Sequence, residues 1–155
     1  MRLGSGGGDA LTLQVVGYQF PDAEIPEQRY SWHVVAGSAR AGLERWDFRW
    51  QALTCDESPK VGAWLRELAD FLDGDDPTTR PAPPCFTEPN VVFRAATDGL
   101  HPLEVDVSQE FGPPSHTHPW DVTTLRLAVS SHELREAADA WDRERAPYPS
   151  GLQAD

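Results

Sequence analysis

Two imidazoles separated by one residue, in His116-Thr117-His118, come nearest to a reactive arrangement in this 155-residue chain. In an extended segment, residues two apart point to the same side. Both rings could then meet one divalent ion, with His101, Glu104 and Glu110 upstream and Asp121 just after as further ligands. Such a constellation would make a small metal-binding module or a metal-dependent enzyme built on His116 and His118. The pair follows Phe111-Gly112-Pro113-Pro114-Ser115, a loop composition, and no spacing fixes a third ligand. The competing expectation is a solvated polar loop, with no metal and no cofactor.

Other chemistries find less to work with. There is no Gly-x-Ser-x-Gly elbow, no Ser, His and Asp set joined by motif, and no Cys in a reactive setting. Gly4-Ser5-Gly6-Gly7-Gly8 has the glycines of a phosphate loop but lacks the Gly-Lys-Ser/Thr ending that would bring a Lys to phosphate. Paired carboxylates are expected by chance among 25 acids, and general acid catalysis would need one of them held in an apolar pocket. Cys55 and Cys85 sit outside any CxxC spacing and read as packed thiols rather than a disulfide. No catalytic residue is expected.

Charge says more. The formal net charge is −12, which argues against nucleic acid as a direct ligand, because phosphate binding needs Lys and Arg to displace counterions. The acid is unevenly placed. Residues 1–55 hold six acids and five bases, whereas residues 56–155 hold nineteen acids and eight bases. This asymmetry fits a basic partner and not an anionic membrane surface. No stretch approaches the roughly 18 apolar residues of a membrane span. Residues 1–9 lack an apolar signal core and read as a flexible tail, so the expected address is cytoplasmic.

These residues must be positioned by a small set of elements. Leu11, Leu13 and Val15 alternate, as do Tyr30, Trp32 and Val34, with His33 on the opposite, surface parity. Trp46, Phe48 and Trp50 share one face of a third strand. The period then becomes helical over residues 59–72, with Ser58 as N-cap, Pro59 at the first helical position and Gly74 as the stop. An acidic, Pro-rich loop follows, from Asp73 to Pro84. Residues 91–108 read as a hairpin around Asp98-Gly99, with Glu104 and Asp106 on its wet side. Leu125, Leu127 and Val129 form a further strand. Ser130 and Glu133 have the spacing of a capping box into a helix over residues 132–144. The expectation is an α+β fold, with a mostly antiparallel sheet of six to seven strands and two helices. Residues 10–146 form one domain, and residues 147–155 a frayed tail.

Several of these segments, in order, resemble the WapI-like family of bacterial immunity proteins. They are Gly17-Tyr18-Gln19-Phe20-Pro21, Tyr30-Ser31-Trp32, Trp50-Gln51-Ala52-Leu53-Thr54, Trp64-Leu65, Phe86-Thr87-Glu88-Pro89-Asn90-Val91-Val92-Phe93 and Glu110-Phe111-Gly112-Pro113-Pro114. The resemblance covers about residues 11–145. It implies a cytosolic protein, encoded beside a polymorphic toxin of the wall-associated or contact-dependent-inhibition type. Such a protein seals the C-terminal domain of that toxin, commonly a nuclease, by binding rather than by catalysis. No residue-level interface pattern comes with it. The candidates for partner binding are instead read from charge and aromaticity: Asp73, Asp75, Asp76, Glu104, Asp106 and Glu110 as acid, with Phe111 and Trp120 as exposed anchors.

Overall fold

The computed structural model describes residues 1–4, 6–74, 79–97 and 99–151. Asp75, Asp76 and Asp98 lie outside them. Seven strands form two antiparallel sheets, so the α+β class and the strand count stand, while the single sheet divides in two. The first sheet runs β1 (Arg2–Leu3), β2 (Ala10–Tyr18), β3 (Trp32–Ala41) and β4 (Glu44–Thr54), with a short helix α1 (Pro26–Arg29) between β2 and β3. The second runs β5 (Val91–Ala95), β6 (Leu103–Ser108) and β7 (Val122–Leu127). Alternation explains both: the apolar parity of each strand is buried and the other parity faces out.

Helices α2 (Ser58–Asp73) and α3 (Ser131–Arg145) pack on each other and close the core. In α3 the capping box forms as its sequence requires, with Ser130 Oγ accepting from the Glu133 amide and the Glu133 carboxylate accepting from the Ser130 amide. The start of α2 differs from expectation. Glu57 occupies the N-cap and Ser58 lies inside the helix, fully buried. The Ser58 carbonyl accepts from Trp141 Nε1 at 2.7 Å, which ties α2 to α3. The Glu57 carboxylate accepts from the Thr54 amide and from both the amide and hydroxyl of Thr87. Burial alone would raise that carboxyl, but these bonds outweigh it and hold it below its ordinary range.

Four expectations need correction. Met1–Leu3 are not a loose tail: Leu3 is 2% exposed, Arg2–Leu3 pair with Leu11–Thr12, and the Leu13 amide donates to the Met1 carbonyl. Apolar residues at positions 1 and 3 gain more from burial than a tail would from freedom. His33 is 1% exposed rather than on the surface. His33 and Val35, not Trp32 and Val34, lie on the inner parity of β3, which pairs without a skipped residue; the extra residues at its two register shifts, Val16 and Ala52, belong to β2 and β4. Trp46 and Phe48 are buried, but Trp50 is 42% exposed on the edge strand. Finally, residues 147–151 are not frayed along their length: His33 Nε2 bonds the Tyr148 carbonyl at 2.8 Å and the Tyr18 hydroxyl donates to the Pro149 carbonyl.

Of the two cysteines, both free, Cys55 is buried, which pushes its thiol up to about 12, and Cys85 is exposed rather than packed. Among the described residues no helix is long and apolar enough to cross a membrane.

Candidate partner interface

The second sheet presents one face to the core and one to solvent. Trp64 of α2 meets Phe93 on the inner face, at 5.9 Å between centroids. Val91, Val105, Val107, Leu125 and Leu127 fill the same side. Parity therefore sends Glu104 and Asp106 outward, opposite the helices. Cross-strand register aligns Arg94, Glu104 and Arg126 in one row, and Val92, Asp106 and Thr124 in the next. Arg94 pairs with Asp106, Thr124 donates to the other Asp106 oxygen, and Arg126 reaches Glu104 loosely at 3.4 Å. These acids are thus largely neutralised where they stand.

The last row of that face leads into the segment after β6. Ser108 lies opposite Val122, and between them runs a 3-10 turn (Gln109–Phe111) followed by an irregular loop to Asp121. Gln109 has φ +50, a left-handed conformation that side chains rarely adopt. Its amide donates to the Pro119 carbonyl, which brings the start and end of the loop together. Ser108 Oγ donates to the Pro89 carbonyl, and the buried Asn90 side chain donates to Glu110 Oε2 at 2.8 Å. The Asp121 carboxylate accepts from the amides of His118 and Thr117 and from the Thr117 hydroxyl. Those two amides, His118 first, hold its carboxyl below the usual range.

On this frame Trp120 is 78% exposed and Val122 55% exposed, with Glu110 beside them. Gln109, Glu110, Pro119 and Trp120 line a depression of about 410 Å³. A large apolar side chain open to solvent on a braced loop has the form of an interface anchor, since the ordering of the loop backbone is already met before a partner arrives.

Glu104 and Asp106 therefore share the outer face of the second sheet, while Glu110 and Trp120 line one depression in the connection between β6 and β7. Asp73 does not join them: it lies at the end of α2, bonded to Arg135 of α3 in the helical layer. Asp75 and Asp76 are outside the described residues. Phe111 is not an exposed anchor. It is fully buried, its ring stacked on Phe48 and its carbonyl accepting from Trp46 Nε1 at 2.8 Å. Val122, which the sequence reading passed over, belongs to the patch; its outward parity beside Trp120 was the available signal.

The imidazole pair comes apart as a ligand set. His116 Nε2 bonds Thr123 Oγ1, while its Nδ1 is buried without a partner. His118 is exposed. Among the described residues no group of three or more His, Cys, Asp or Glu is placed to hold a metal ion. His33 and Ser58 are within hydrogen-bond reach, Nδ1 to Oγ at 2.6 Å, yet both are sealed in the core, where no substrate reaches them.

In comparison with protein families, the model described as the immunity protein WapI-like family matches residues 2–149. Neither the curated proteins nor the solved structures give a significant match.

Proposed function

The chain belongs to the immunity protein WapI-like family, and from that membership we propose that it neutralises one cognate toxin by stoichiometric, non-covalent binding in the cytoplasm. The observation that carries this reading is the extent of the match, over residues 2–149 of a 155-residue chain. The toxin is a basic domain, a nuclease by preference, because a surface built to hold phosphate is complementary to a protein of net charge −12. Long-range attraction of that kind speeds encounter more than it deepens affinity. Affinity then falls to a desolvated centre, for which Trp120 and Val122, with Glu110 near Trp120, are exposed apolar groups on a braced segment.

Much of the acid on the helices is already matched by arginine. Arg66 bonds Asp139 and Asp142, and Arg135 bonds Asp70 and Asp73. This favours the loop face over the helical layer, since among the described residues Glu110 is held by the neutral Asn90 amide and by no cation. The test mixes this chain with the toxin domain encoded next to it at two salt concentrations, with association followed by stopped-flow fluorescence and affinity by calorimetry. Association slower at about 500 mM than at about 50 mM salt supports the electrostatic part, and an unchanged rate removes it. A Trp120→Ala chain that binds as tightly as the unaltered one removes the anchor.

A further inference from the structure

The outer face of the first sheet carries the opposite charge from the rest of the molecule. Parity and register place Arg2, Thr12, Ser38 and Asp47 in one row across all four strands. The neighbouring rows add Ala10, Arg40 and Arg45 on one side, and Gln14, Ala36 and Arg49 on the other. Four arginines thus share a face with a single acid, in a chain whose net charge is −12. Arg40 and Arg45 are directly opposite each other, a like-charge pairing that destabilises a sheet unless an anion offsets it.

No anion within the described chain does so. Arg40 spends its guanidinium on the neutral carbonyls of Gly8 and Gly6, and Arg2, Arg45 and Arg49 make no ion pair among the described residues. Elsewhere in the fold, Arg66, Arg94 and Arg135 all find carboxylates. The floor between the arginines is made of small side chains, Ala10, Thr12 and Ser38, and forms an open depression of about 420 Å³.

We propose that this face is a second docking surface, which takes an acidic, extended polypeptide segment of a partner protein. Arginine forks accept carboxylates in pairs, and a floor of small residues lets a backbone lie close to the sheet. Phosphate would satisfy the same forks, but a nucleic-acid strand also stacks its bases on exposed aromatic rings, and Trp46, the aromatic at the edge of this depression, is buried. The surface is distinct from the Trp120 face and its partner charge is opposite, so its failure would leave the immunity reading where it stands.

A fluorescein-labelled oligoglutamate of about ten residues, at about 25 mM salt, is the probe, read by anisotropy. The full chain should bind it saturably. The double substitution Arg45→Glu with Arg49→Glu should weaken binding by about tenfold or more, the neutral Arg45→Gln with Arg49→Gln should weaken it less, and Lys60→Glu on α2 should leave it unchanged. No saturable binding, equal loss on Lys60→Glu, or tighter binding of a twelve-residue oligothymidylate than of oligoglutamate would each overturn the proposal.

Discussion

Phe111 lies nearly flat on Phe48, ring centroids 4.2 Å apart and planes at 28°, and this contact fastens the loop that carries Trp120 to the edge strand of the other sheet. The Trp46 indole adds a hydrogen bond to the Phe111 carbonyl from the same strand. The two aromatics of the loop therefore divide the work: Phe111 holds it in place and Trp120 is what the loop presents.

That division predicts opposite outcomes for two alanine substitutions. Phe111→Ala should cost about 3–5 kcal/mol of folding stability, as for a large buried ring. Trp120→Ala should change stability by no more than about 0.5 kcal/mol while weakening the toxin complex by about 2 kcal/mol. Urea unfolding and calorimetry measure the two quantities separately.

Gly37 sits across from Phe48 in register. A Cβ there would come 2.1 Å from the Thr12 carbonyl and 2.8 Å from the Phe48 ring, and the first of these is backbone that cannot swing away. Gly37→Ala should destabilise by at least about 1–3 kcal/mol, measured as a shift in denaturant midpoint.

His33 sets one pH limit. Burial, the largest influence, lowers its affinity for a proton; its bond to the Tyr148 carbonyl opposes this and Arg145 adds to it. The unfolded chain then takes up the proton first as pH falls below the ordinary value near 6.5, so stability present above that value is lost as pH drops toward the folded one. The wild type should lose stability between about pH 7.5 and 5.5, and His33→Gln should show a flatter profile there, from a lower starting point. Parallel profiles would assign the dependence to other groups.

Glu57 sets a second limit at lower pH. Its carboxyl is held below the ordinary value of 4.5, so its contribution is present above 4.5 and vanishes as pH falls through the folded value. Glu57→Gln should cost about 1.5–3 kcal/mol at neutral pH, the range for hydrogen bonds to a charged group. The gap from wild type should narrow below about pH 4.5.

Strand alternation and helical period made most elements legible, including the capped start of α3. What escaped depends on distance or on small irregularities. Strand β3 carries apolar residues on both parities, Trp32 and Val34 on one and Val35 and Ala39 on the other, so alternation alone did not choose its inner face and His33 appeared on the surface. Phe111 stands in a Gly- and Pro-flanked stretch, and its burial comes from Phe48, sixty-three positions earlier. The two residues of β1 are too short for any period. Of the candidate interface, Glu104, Asp106 and Trp120 were readable from parity and residue type, but the pairing of Asp106 with Arg94 depends on β5–β6 register. The hold of Asn90 on Glu110 crosses twenty positions of chain.

The central claim is protection by binding, and co-expression tests it most directly. Cells producing the neighbouring toxin domain should survive when this chain is co-produced, and the two proteins should co-purify in equal amounts. Survival should fall with Trp120→Ala at unchanged protein level. Death of the cells despite abundant folded chain, with no complex recovered, would contradict the account.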